Sequence, residues 1–263
     1  MVATVVLLVI IGGVLQLISQ SQQRTVATAS AEDSTSMARE AVDLMTRDIR
    51  LAGYPPPSSY PAAVLNSSNQ QYVTIAGGFL GVAAPATPNL PASPYSIQFE
   101  ADISGPTNCG TPGLPLTDYR CTGNSGVVSV INYQLQVPTG GAAGGCAGLT
   151  VNANLTTPTL MRSQVPKNAN GAAVTPVYIP FVTNVQNCIS AVPIFTYCGP
   201  VAAAGGCPDL SGQPPAPAGV TAPRNTRMVL IRLQVQSRVR DPQSGAFQMV
   251  EFYSVAEKVN PES

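Results

Sequence analysis

The sequence predicts an α+β fold, with one long N-terminal α-helix packed on an antiparallel β-sheet and long loops stapled by disulfides. Three observations lead there. The chain opens with an uncharged apolar run that passes into an amphipathic stripe without a Pro or a turn signal between them. The second half carries repeated alternation of apolar and polar residues, the period of a half-buried strand. All six cysteines lie beyond residue 100, in stretches rich in Gly and Pro.

Four regions result: residues 1–24, an apolar half-helix; 25–52, its amphipathic continuation; 53–94, a connecting loop; and 95–263, the sheet domain. A length of 263 residues suits one sizeable domain with an appended element. Charged residues are 10% of the chain, and Lys+Arg balance Asp+Glu at 13 each, so no basic stripe is available for a phosphate backbone and nucleic acid is not an expected partner. Histidine is absent, which removes the commonest general base and metal ligand. No Gly-x-Ser-x-Gly, phosphate-loop or CxxC spacing occurs. The expectation is therefore no catalytic residue, no metal, no cofactor and no small-molecule substrate.

The first element is the helix. Val2, Val5, Val6, Leu7, Leu8, Val9, Ile10, Ile11, Val14, Leu15 and Ile18 make its beginning apolar on all sides, and the first charge is Arg24. A bilayer core takes roughly 20 apolar residues in a helix, so this run falls slightly short of a full span. Gly12 and Gly13 each cost a helix interior about 0.8–1 kcal/mol relative to Ala; they read either as a point where the helix stretches or melts, or as the glycine common in membrane helices. Beyond Arg24, Met37, Ala41, Leu44, Met45, Ile49 and Ala52 recur at steps of three and four and form one stripe for packing on a sheet. Gly53, Tyr54 and Pro55 to Pro57 end the helix near Ala52. An ordinary single-pass anchor with a stalk is the plain alternative for this segment.

The strands follow in order. After the loop, in which only Tyr72 to Ile75 resembles a strand, Tyr95 to Ile103 alternates, with Ser96, Gln98, Glu100 and Asp102 on a wet face. Ser129 to Val137 alternates likewise, with Ile131, Tyr133 and Leu135 on the apolar side. Shorter strands are expected at Thr159 to Val165, Tyr178 to Val185 and Ile194 to Tyr197. The strongest pattern, Met228 to Val239, turns at Asp241-Pro-Gln-Ser-Gly245 and returns as Phe247 to Val255, a hairpin. All of these are expected in one sheet, its apolar face covered by the helix. Six cysteines allow fifteen pairings. Neighbour pairing is the expectation, Cys109 with Cys121 and Cys198 with Cys207, which leaves Cys146 for Cys188 and implies an oxidising compartment.

The stretch Met1 to Tyr54 resembles the PilW/PulJ-like minor pilins of type IV pili and minor pseudopilins of type II secretion. The resemblance rests on "MVATVVLLVIIGGVLQLI", on the polar continuation "SQSQQRTVATAS" and above all on "RDIRLAGY": Arg47, Asp48, Ile49, Arg50, Leu51, Ala52, Gly53 and Tyr54. It implies a pilin-like fold and a subunit held in the bacterial inner membrane, its domain in the periplasm, before it joins other minor and major pilins or pseudopilins in a filament. The family's basic leader, its cleavage-site Gly and its assembly Glu have no counterpart ahead of Met1, which reads as an internal start or a trimmed beginning. A membrane-tethered binding or adhesion domain is the rival expectation, resting on the loops Pro106 to Gly126 and Gly199 to Pro223.

Overall fold

Residues Val2–Arg50 form one α-helix of 49 residues, α1, unbroken across the junction between its apolar and amphipathic parts. At 1.5 Å per residue it is about 74 Å long. Its hydroxyl side chains bond back into the helix, Thr25 to Ser21 O, Ser34 to Ser30 O, Thr35 to Ala31 O and Thr46 to Val42 O, so they need no other partner to lie on or near the packed side. The helix closes on a tightened turn, with Ala52 N donating to Ile49 O at 3.1 Å. The computed structural model describes residues 2–52, 93–101, 129–142, 144–166, 175–198 and 228–257. Gly53, Tyr54, most of the 53–94 loop and both long loops of the rival reading lie outside the described residues, as do Cys109, Cys121 and Cys207.

Each of the seven strands expected from the alternation after Tyr95 forms, but in two sheets rather than one. The first contains β1 (Ser96–Ala101), β2 (Ser129–Val137), β4 (Thr159–Pro166) and β5 (Ile179–Val182) in that spatial order, all antiparallel; the two-residue β3 (Thr150–Val151) runs parallel to the end of β2. The second contains β6 (Phe195–Cys198), β7 (Met228–Arg240) and β8 (Phe247–Glu257). The sheets part where the chain turns at residues 187–191 between β5 and β6. They are seamed by the Val185–Val235 bridge and by Ile194 N and Phe195 N, which both donate to Pro94 O. Alternation assigns residues to faces, whereas strand neighbours are set by contacts remote in sequence, so one sheet and two sheets read alike beforehand.

The faces expected to be wet differ too. Ser96, Gln98 and Glu100 of β1 and Asn132, Gln134 and Gln136 of β2 are all buried. Some polar side chains on that face bond one another, Gln136 Nε2 donating to Gln134 Oε1, Gln134 Nε2 to Thr150 Oγ1 and Asn152 Nδ2 to Gln136 Oε1, while Asn132 Oδ1 and Ser163 Oγ are buried without a hydrogen bond. The opposite face joins Ile97, Phe99, Ile131, Tyr133, Leu135 and Leu160 to the core that receives the helix.

The expected hairpin forms as read. Asp241 N donates to Ala246 O and Gly245 N to Asp241 O, while the Asp241 carboxylate accepts Gln243 N–H and the Ser244 hydroxyl. Gly245 sits at φ +65°, which an L side chain rarely adopts. A bulge between Gln236 and Arg240 is held by Ser237 Oγ, which donates to Val239 O and accepts Gln248 N–H.

Candidate functional site

The candidate site is the helix itself, because its two halves meet opposite surroundings. From Ala27 onward it is docked. Ala38, Ala41, Val42, Met45, Ile49 and Ala52 are buried in the core, and the helix lies across β7 and β8 and touches β5. Of the expected packing residues, Ala41, Met45, Ile49 and Ala52 are buried and Met37 packs partly buried against the core; Leu44 is half-buried and not part of it. Ala38 and Val42 complete the stripe, one position along from Met37 and Ala41.

Polar contacts set the register of this docking. Thr46 Oγ1 bonds Ser254 Oγ at 2.8 Å, the Arg39 guanidinium lies 6.0 Å from the centre of the Phe252 ring, and Arg238 N donates to Ser30 Oγ at 3.1 Å. Hence β8 runs alongside the helix in the same direction and β7 returns against it, bringing the hairpin turn down towards Arg24.

The deepest contact is one that sequence reading did not single out as buried. Asp48 is fully buried, and its Oδ2 accepts the Tyr133 hydroxyl at 2.7 Å and Arg162 Nη2 at 2.8 Å, with Arg162 Nε at 3.3 Å. Arg162 Nε also donates to the Tyr133 oxygen at 3.0 Å. Tyr133 and Arg162 are directly opposed on β2 and β4, so the helix end is tied to both strands by one carboxylate. Burial first, and Asp48 second, push the Tyr133 phenol well above its ordinary range, so it stays a donor. Asp48 Oδ1 has no hydrogen bond and only a 3.9 Å approach from Arg47 Nε. Within the family-like motif, Arg47 and Arg50 are exposed, Leu51 half-buried, and Ile49 and Ala52 buried. The signal for Asp48 was its place on the stripe, three after Met45 and four before Ala52.

The other end is exposed. Every residue from Ala3 to Val26 whose side chain is described is exposed, including Leu7, Ile10, Ile11, Val14, Leu15, Leu17 and Ile18, with Leu17 at 67%. Val2, Val5, Val6, Leu8 and Val9 belong to the same helix, their side chains outside the described ones. No atom lies within 4 Å of a Cβ built on Gly12 or Gly13, so neither glycine serves a contact within this chain. Among the described residues no helix is long and apolar enough to cross a membrane.

Far from that end, Cys146 and Cys188 form the expected disulfide, and Cys198 is disulfide-bonded as well. The other expected pairings involve cysteines outside the described residues. A Cβ on Gly145 would stand 2.1 Å from Cys188 O, so only glycine admits this approach. Asn187, fully buried, donates to Arg232 O and accepts Gln234 N–H, replacing ladder bonds where the sheets part. Among the described residues no three His, Cys, Asp or Glu side chains converge as a metal site would require. Comparisons with known protein families, with curated proteins and with solved structures found no match.

Proposed function

We propose that this chain is a minor pilin or pseudopilin, anchored in the bacterial inner membrane through the first half of α1 and then built into a type IV pilus or type II secretion pseudopilus. The observation that carries this reading is the unbroken helix whose second half is buried on its own domain while the described side chains of its more apolar first half are all exposed. Among the described side chains, seven large aliphatics from Leu7 to Ile18 are exposed along that half. Full burial of such a side chain is worth about 1.5–3 kcal/mol and these are 45–67% exposed, so a partner surface recovers on the order of 5–10 kcal/mol.

A bundle of like helices supplies such a surface. Lipid chains are as apolar as a neighbouring helix, so exchange between membrane and filament is decided by packing and hydrogen bonds rather than by the hydrophobic effect. Packing among helices does not demand a complete bilayer span. The partners are other minor and major pilins or pseudopilins, and the role is assembly, with no catalytic step. The rival binding-domain reading depends on loops outside the described residues and has no observation of its own.

Replacing Val9 with Lys places a charge amid the apolar run. The expected result is loss of the subunit from both the membrane fraction and the sheared filament fraction, with the domain still folded by near-ultraviolet dichroism. Normal incorporation of Val9→Lys into filaments contradicts the proposal.

A further inference from the structure

We infer that the tip of the β7–β8 hairpin, with Arg24 of the helix, is a lipid-facing collar that rests on anionic headgroups while the first half of α1 is in the bilayer. The inference builds on the membrane arm of the proposed function and adds a second contact to it.

Its basis is where the hairpin ends. The apolar run stops at Ile18, and the uncharged Ser19, Gln20, Ser21, Gln22 and Gln23 follow. Arg24 is six residues past Ile18, about 9 Å along the axis, and Ser30 about 18 Å. The hairpin turn falls between these levels, since Arg238 N binds Ser30 Oγ and the Arg24 charge helps hold the Asp241 carboxyl below its usual range, after the hydrogen bonds from Gln243 and Ser244. Headgroup layers are about 5–7 Å deep on each side of the hydrocarbon core. An arginine side chain spans the few ångströms left, its stem on apolar surface and its head at phosphate.

The composition of the tip matches that position. Arg24, Arg238 and Arg240 are exposed; the charges facing them are Asp241 at the tip and Glu32 and Asp33, two turns or more above Arg24 but within one turn of the Ser30 level that Arg238 reaches. Phe247 pairs with Arg240 across the hairpin, its ring 4.9 Å from the guanidinium, and stays 38% exposed; Met249 on the same face is 55% exposed. An aromatic ring with a cation over its face, near the level where the helix leaves the hydrocarbon, suits the interface. Arg238 Nη2 also reaches Thr183 Oγ1 at 3.2 Å, which brings the end of β5 to the same rim. An anionic surface attracts each nearby arginine by about fivefold in the docked-to-undocked ratio, within a screening length of about 8 Å.

The chain contains no tryptophan, so one reporter at a time is possible. Full-length Phe247→Trp and, separately, Val14→Trp are reconstituted in vesicles of phosphatidylcholine alone and of phosphatidylcholine with phosphatidylglycerol at 3:1, with quenchers at headgroup or mid-chain depth. The expected result is mid-chain quenching of Val14→Trp in both, and headgroup quenching of Phe247→Trp that strengthens with phosphatidylglycerol. Adding Arg24→Gln and Arg240→Gln is expected to weaken the latter about fivefold per arginine. Quenched Val14→Trp with unquenched Phe247→Trp overturns the collar and leaves the anchor standing; unquenched Val14→Trp overturns both. Shielding of Phe247→Trp that depends on protein concentration and not on lipid assigns the face to a second copy and likewise overturns the collar.

Discussion

From Ala27 to Ala52 helix α1 is held by Met45, Ile49 and the alanines of its stripe, by Thr46 on Ser254 and by Asp48 on Tyr133 and Arg162. From Ala3 to Val26, in a stretch of similar length and greater apolarity, every described side chain is exposed. Composition alone would bury the first half and expose the second, and the fold does the reverse. Apolarity therefore states that a surface needs covering, and only the register of polar contacts states by what. The docked half carries such contacts at Ser30, Arg39, Thr46 and Asp48; the free half offers aliphatic surface from Leu7 to Ile18, suited to interchangeable neighbours, and uncharged polar residues from Ser19 to Gln23.

The largest effect separating the halves is expected at Asp48. Asp48→Ala or Arg162→Ala leaves a buried charge or phenol without its partner and should cost about 3–5 kcal/mol in denaturant titration. Replacing all three polar partners, Asp48→Leu with Arg162→Met and Tyr133→Phe, should restore most of that loss, since no buried polar group is then left unpaired. A cost below about 1 kcal/mol for either single change would mean that the helix end is not anchored there. Next comes a matched pair: Met45→Ala should cost about 2–5 kcal/mol, whereas Leu15→Ala, at a position 61% exposed, should stay within about 0.5 kcal/mol for the folded domain while weakening recovery in filaments.

Glycines divide in the same way. Gly145→Ala forces a Cβ onto Cys188 O and should lose about 1–3 kcal/mol, while Gly12→Ala meets open space and should add about 1 kcal/mol of helix propensity. If Gly12→Ala raises helicity yet lowers assembly, the glycine pair serves the filament. The smallest effect is at Glu251. Partial burial acts to raise its pKa, but hydrogen bonds from Arg232, Tyr253 and Gln234 outweigh it and hold the carboxyl below its usual range. A depressed carboxyl adds stability above its unfolded value, roughly 4.3, and loses it as pH falls through the folded one. Acid titration of Glu251→Gln should therefore lack a decline of about 0.2–1 kcal/mol that the parent shows below that pH.

Much of this was legible beforehand because it is local. The stripe Ala41, Met45, Ile49, Ala52 and the turn Asp241 to Gly245 are written in spacings of a few residues, and both formed as read. The pairing Cys146–Cys188 formed as expected, though elimination rather than geometry had suggested it. What stayed hidden depends on distant partners. Asp48 lies on the stripe, but its partners are known only once Tyr133 and Arg162 are placed opposite one another, 85 and 114 residues away. Gln98, Asn132 and Gln134 read as a wet face until their burial is known, and Gly145 and Asn187 acquire a role only where the two sheets part.

The claim beneath all of this is a single rod, docked at one end and bare at the other. Spin labels on genetically encoded handles at Leu15 and Asp33, eighteen residues and five helical turns apart, measure it by dipolar spectroscopy. One narrow distance peak near about 27 Å is expected; a broad distribution, or a shorter distance from a fold-back near Ser19, would contradict it.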